Sequence, residues 1–295
     1  MGKSARAQNA RLVELRAQQA KAERRSKLMI AGATVGVVAI VVIALVIAAL
    51  QGGTDVTGQS STALDQATFA KVTSVPAASL DTVGAGASDN PPKTIDAPAL
   101  TKDGKPRVLY VGAEYCPYCA TERWPLVVAL SRFGTWNNLS ASFSAPAPEV
   151  NPNTATVSFH GATYSSQYVS FTGYETSTNK KTNGQWGKLD TLEGEDLALF
   201  QKFNAPPYVQ SSGAIPWINL GGTSIQAGAS YNSAVILNKT QAEIATALAD
   251  PTTDIAKGVN GAANVLTAQI CKSTNQQPTA VCTAPGVVAA AAKLQ

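Results

Sequence analysis

Two thiols separated by two residues are the side chains of this chain best suited to chemistry. Cys116 and Cys119 lie in YVGAEYCPYCATERW, Tyr110 to Trp124, where the apolar run Val108 to Val111 reads as a strand and Ala120 to Phe133 as a helix. With Cys116 at the N-cap and Pro117 at the first helical position, the proline's missing N–H costs nothing. Cys119 then falls on the same helix face, within reach of a disulfide. Unpaired N–H groups and about half a positive charge at a helix N-terminus stabilise a thiolate. Cys116 is therefore expected to be the nucleophile, with a depressed pKa, and Cys119 the resolving thiol.

Other readings of the pair compete with this one. They are a static structural disulfide, a zinc site pooling all four cysteines, and a soft-metal site built with His160. Cys271 and Cys282 enclose ten residues, KSTNQQPTAV, and lack the usual zinc-knuckle spacing. They read as a structural disulfide pinning the last helix, with a second redox pair as the alternative. Closing such a loop is worth about 3 kcal/mol in the chain-entropy model. His160, the only histidine, ends a period-2 stretch and reads as a surface or satisfied residue. Neither a metal nor a cofactor is expected.

The elements that must position the thiols can be read outward from them. Asp103-Gly104, between Pro98 to Thr101 and Arg107 to Val111, predicts a hairpin entering the strand. The helix after Cys119 is apolar on nearly every side, so it is buried, and Pro125 should kink it. Ser140 to Phe143, Thr154 to Phe159 and Tyr168 to Tyr174 read as strands, and Asn179 to Gly187 as an exposed loop. Thr163 to Tyr174 either belongs to an insertion or extends the sheet. A helix is expected over Leu192 to Phe203, a hairpin around Gly221-Gly222, a helix from Thr240 with a Thr240-x-x-Glu243 capping box, and another from Ile255 to Cys271. Upstream, Val72 to Val75 reads as a short strand and Pro76 as the start of a helix ended by Gly84.

Charge divides the chain. Residues 1–27 carry eight Lys or Arg against two Glu, leaving 15 basic and 17 acidic residues of the chain's 23 and 19 for the remainder. That remainder supplies no basic patch for nucleic acid. Residues 28–50 hold no charge and, at about 1.5 Å per residue, are long enough for a hydrocarbon core of about 30 Å; a cleaved signal peptide is the alternative, for which the run is longer than usual. The positive-inside rule puts the basic arm in the cytoplasm, where it can touch anionic lipid, and everything after Gln51 outside. All four cysteines then lie in an oxidising compartment. The expected organisation is a basic arm over 1–27, a transmembrane helix over 28–50, a flexible stem over 51–66, a folded α/β domain over 67–285 and a tail over 286–295.

Ala113-Glu114-Tyr115-Cys116 with Cys119 resembles the active-site segment of the thioredoxin superfamily. Ile215-Pro216, leading into a hairpin, resembles its cis-proline loop, and Pro125 matches the family's helix proline within one residue. The resemblance implies a thioredoxin-like fold in which Pro216 is cis and packs beside the dithiol. The backbone near Ile215 then offers a strand edge to substrate peptide, flanked by Tyr118 and Trp217. VLYVGAEYCPYCATERWPLVVALSRFGT, QAGASYN and GAANVLTAQIC further resemble a family of membrane-anchored thioredoxin-like proteins catalogued as a domain of unknown function. Two departures stand out. Tyr110 occupies the position of the family's buried carboxylate, so another group must accept the resolving thiol's proton. The 96 residues between Cys119 and Pro216 imply an insertion within about 140–207.

The function expected is a membrane-tethered, extracytoplasmic thiol-disulfide oxidoreductase acting on secreted or membrane proteins through a membrane redox partner. The alternative is a binding module on the same scaffold with an inert disulfide.

Overall fold

The run Val108 to Val111 has no polar face to offer water, and the fold buries it on both sides. In the computed structural model, which describes residues 55–294, it lies in β5 (Lys105–Gly112), inside a sheet ordered β10 (Ser170–Glu175), β5, β13 (Trp217–Leu220), β14 (Ser224–Ala227), β3 (Lys93–Thr94). β10 runs parallel to β5, and β13 and β14 each run antiparallel to the strand before them in that order. β4 (Thr101–Lys102) enters β5 through the two-residue turn Asp103-Gly104, both at positive φ as a type I′ hairpin requires.

Alternation along β5 feeds two cores. Val108 and Tyr110 face α3 (Pro117–Ser131) and α6 (Asp254–Ser273), together with Ile218 and Leu220 of β13. Leu109 and Val111 face the other side with Trp217, Ile225 and Phe203, the last from α4 (Gly194–Phe203). Arg107 pins α4 there, donating from Nη1 to Asp196 Oδ1 at 2.8 Å.

Between α3 and β10 the chain builds β6 (Gly134–Asn137) paired with β9 (Thr163–Ser166), and β7 (Ser140–Phe143) paired with β8 (Ala155–Ser158). Thr163 to Tyr174 therefore serves both ways, its first part pairing with β6 and its second part joining the central sheet. Residues 179–187, read as a loop, form most of a hairpin instead, β11 (Ser177–Thr182) and β12 (Gln185–Lys188). Its turn is Asn183-Gly184, both at positive φ.

The N-terminal boundary also differs from expectation. Over its described part the 51–66 stem is stitched to the domain: β1 (Val56–Thr57) pairs with β11 and β2 (Thr62–Ala63) with β7. The strand expected over Val72 to Val75 falls partly in α1 (Gln66–Thr73), which Asp65 caps by accepting from Thr68 N at 2.9 Å. α2 (Ala77–Val83) follows Pro76 and ends at Gly84. The basic arm and apolar span, 1–50, lie outside the described residues. Among the described residues no helix is long and apolar enough to cross a membrane.

At the C-terminal end, α5 (Gln241–Ala247) opens on the Thr240–Glu243 capping box, and α6 packs along α3. Cys271 and Cys282 are joined in a disulfide, Cα–Cα 5.6 Å, tying α6 to α7 (Thr279–Cys282). The 286–295 tail is not free: α8 (Pro285–Ala291) buries Val287, and Gly286 N donates to Asp81 Oδ1 at 3.0 Å.

Candidate active site

Thirteen of the fifteen residues of α3 are buried, so every polar group in it has to be satisfied from inside the protein. Pro125 removes the donor that would have bonded the Thr121 carbonyl four residues earlier. Tyr231 Oη donates to that carbonyl at 3.2 Å, replacing it. Tyr231→Phe should accordingly lower stability by about 1 kcal/mol in urea unfolding. The loss should shrink in a Pro125→Ala background, where the backbone regains its own donor.

Tyr231 belongs to Gln226 to Asn232, QAGASYN, which also clamps the first turns of α3. Glu122 Oε2 accepts from Ser230 N at 2.7 Å, and Oε1 from Gln226 Nε2 at 2.9 Å. Burial pushes Glu122 up to about 7, against these hydrogen bonds, which pull it down. Its folded value thus exceeds the ordinary 4.5, so its contribution to stability is complete below about pH 4.5 and is lost as pH rises through about 7. The full swing is roughly 3 kcal/mol. Glu122→Gln should flatten it, as seen by comparing urea midpoints near pH 5 and pH 8.

The dithiol sits at the start of this helix. Cys116 is the N-cap, its Sγ accepting from Cys119 N at 3.2 Å, with Pro117 in the first turn. Both thiols are unbridged; Cys116 is 4% exposed and Cys119 not at all. Burial works to raise Cys116. The hydrogen bonds of the Cys119 thiol and backbone, with the charge of Arg123, outweigh it and hold Cys116 below its ordinary value. Burial and the neighbouring Cys116 push Cys119 well up. One thiol is thus disposed to ionise and the other to keep its proton.

Ile215 comes to the same point. The Ile215–Pro216 peptide is cis, as are three other X-Pro bonds, and the Ile215 carbonyl lies 3.7 Å from Cys116 Sγ. Ile215 is half-buried and Pro216 buried. Tyr118, 45% exposed, lines a groove of about 540 Å³ with Asp89, Asn151, Asn232 and Ser233. Trp217 does not belong to this surface. As the residue after Pro216 on β13 it points to the α4 side, fully buried, with its ring edge-on to Phe200 at 5.5 Å. The expectation that it binds substrate is corrected by the strand alternation that puts it in the core. Tyr115, partly exposed, stacks on Trp186 of β12 at 4.5 Å, with Lys181 Nζ 5.2 Å from the Trp186 ring.

The four-cysteine zinc reading loses two of its donors here. Cys271 and Cys282 are occupied by their disulfide, and His160 Nδ1 lies 2.6 Å from Asp190 Oδ1 at the surface.

Sequence reasoning missed a buried ion pair behind the thiols. Arg123 donates from Nε to Glu175 Oε1 at 2.8 Å and from Nη2 to Glu175 Oε2 at 2.6 Å, both side chains being wholly inaccessible. Nη2 also donates to the Ala113 carbonyl at 2.8 Å. The available clue is Glu122-Arg123 inside a helix otherwise apolar all round, since charges there must be paired.

No curated protein and no solved structure matches the chain. Residues 92–191 match the family model described as Domain of unknown function (DUF929), a stretch that runs from β3 through β12 and carries the dithiol, Arg123 and Glu175 but neither Pro216 nor the Cys271–Cys282 disulfide.

Proposed function

We propose that the chain is a thiol-disulfide oxidoreductase on a thioredoxin-like scaffold, with Cys116 as nucleophile and Cys119 as resolving thiol. The observation that carries this reading is the environment of Cys116 Sγ. It is held at a helix N-terminus by the Cys119 N–H at 3.2 Å, beside the carbonyl of Ile215 at 3.7 Å. The sheet supports the scaffold: β10, β5, β13 and β14 are adjacent in that order, β5 and β10 are parallel, α3 follows β5, and α5 and then α6 follow β14. This order and connectivity support a thioredoxin-like reading of the core. The segments β6 to β9 and β11 to β12 are then additions to it.

The chemistry follows from the two thiols. Cys116 thiolate attacks a substrate disulfide, forming a mixed disulfide and releasing one substrate thiolate. Cys119, as thiolate, then attacks Cys116 Sγ, releasing the second substrate sulfur and leaving a Cys116–Cys119 disulfide. Two electrons pass to the substrate, and the reverse sequence oxidises it. Substrates are proteins presented in extended form, paired against the backbone at Ile215 and lying along the groove at Tyr118. The apolar span and basic arm tether this site to a membrane and its redox partner, the arm contacting anionic lipid.

The test is the pH dependence of Cys116 alkylation together with insulin reduction and the reduction potential of the pair. A thiolate forming well below the ordinary ~8.5, with turnover, is the expected outcome. An ordinary thiol without turnover would leave the binding module instead. A potential near about −120 mV marks an oxidant and one near about −270 mV a reductant.

A further inference from the structure

The resolving step needs a base, and the position where a carboxylate is expected holds Tyr110. The Tyr110 phenol lies against Gly112, where any Cβ would collide with its hydroxyl, and is edge-on to Phe159 at 4.9 Å. Its hydroxyl has no hydrogen-bond partner among the described residues, and burial pushes it well above the ordinary tyrosine value. Tyr110 cannot take a proton from a thiol.

A carboxylate stands one strand away. Glu175 ends β10 opposite Gly112 in parallel register. Paired residues of neighbouring strands share a face, and so do alternate residues of one strand. Glu175 therefore lies on the α3 side of the sheet with Tyr110, two residues nearer the strand ends from which the dithiol emerges. Arg123 reaches it from α3, one helical turn beyond Cys119 and on the same face. The Arg123 Nη1 has no partner among the described residues, so the guanidinium keeps donors to spare.

We propose that Glu175 is the internal proton acceptor for Cys119, with Arg123 as the positioning residue that keeps the buried charge balanced during resolution. The inference rests on the oxidoreductase reading. Before transfer the cluster holds a guanidinium, a carboxylate and a thiol. After it, the cluster holds a guanidinium, a carboxylic acid and a thiolate. Net buried charge is unchanged, which avoids the cost of creating an unpaired ion in a dry interior. The Cys119 thiolate then attacks Cys116 Sγ, the new S–S bond forms, and the Cys116–substrate bond breaks. The departing thiolate takes a proton from solvent, and Glu175 returns its own to solvent as it re-pairs with Arg123.

The other groups facing Glu175 fit this role. Burial raises Glu175, and Glu114 in the β5–α3 turn adds to that, while Arg123 and the Phe159 N–H draw it down. Cys116, Cys119 and Tyr110 complete the cluster, and Asp190 Oδ2 accepts the Glu175 backbone N–H at 2.9 Å.

The experiment follows the two phases of nitrothiobenzoate release when the reduced full chain meets 5,5′-dithiobis(2-nitrobenzoate). The first phase reports Cys116 attack and the second reports resolution by Cys119. The wild-type second phase should be flat in pH around neutrality, because the proton acceptor is internal. In Arg123→Met/Glu175→Leu, and in Glu175→Gln, it should become first order in hydroxide, rising about tenfold per pH unit. At neutral pH the double variant should resolve about tenfold or more slowly. A wild-type second phase first order in hydroxide, or variants that keep the wild-type profile, would overturn the inference. Absence of the first phase in the wild type would instead sink the oxidoreductase reading. The wild-type profile decides even if a variant fails to fold.

Discussion

Cys119→Ala should convert the protein into a trap, accumulating covalent mixed disulfides through Cys116, while Cys116→Ala should form none. Turnover in either variant should fall by at least about 10³-fold, because the covalent intermediate is lost in one and its resolution in the other. The trap should still load. Cys116 loses the Cys119 thiol as a hydrogen-bond partner, yet the residue 119 N–H and the Arg123 charge both remain to favour its thiolate. Its alkylation profile should therefore move to higher pH than in the wild type but stay below that of an ordinary thiol. Non-reducing gels before and after dithiothreitol read the trapping. Adducts that also form in Cys116→Ala would mean that the chemistry does not run through Cys116.

The Ile215-Pro216 loop is singled out by resemblance alone, whereas the dithiol is legible in the sequence because it is set by neighbours in the chain: a strand, a capping cysteine, a proline at the first helical position. The Asp103-Gly104 hairpin is legible for the same reason, its turn being followed by an apolar strand. Asn183-Gly184 carries the same turn chemistry, but its flanks, TNKKT and QWGK, are polar strands, β12 largely exposed, with little apolar alternation, so polarity hides the hairpin. The stem is harder still, since β1 buries only Val56 and is held by backbone pairing to β11, more than a hundred residues away. Trp217 misleads in the opposite sense: adjacency to Pro216 suggests the site, and the face of β13 decides otherwise. Glu175 is the limiting case. Nothing within ten residues of it marks a functional group, and only the parallel register of β10 against β5 brings it beneath α3.

Removing one half of the Arg123–Glu175 pair should cost about 3–5 kcal/mol, and removing both far less, because the penalty lies in the charge left behind. The two single variants should differ in their response to pH. Glu175→Leu strands a guanidinium that cannot lose its proton, so in that variant this site should add no pH dependence of its own to stability across the accessible range. Arg123→Met strands a carboxylate, which escapes by taking up a proton. Glu175 already sits above its ordinary value with the cation present, and without it the folded value rises further above the unfolded one. Stability tied to such a group is present at low pH and lost as pH rises through the folded value. Arg123→Met should thus approach the double variant in stability as pH falls towards the ordinary carboxylate range, and fall behind it at neutral and alkaline pH. Urea midpoints for the four proteins of the cycle, taken at two pH values, measure this directly. Equal pH responses for the two single variants would mean that Glu175 does not take up a proton inside the fold. That would remove the ability on which its proposed role towards Cys119 depends.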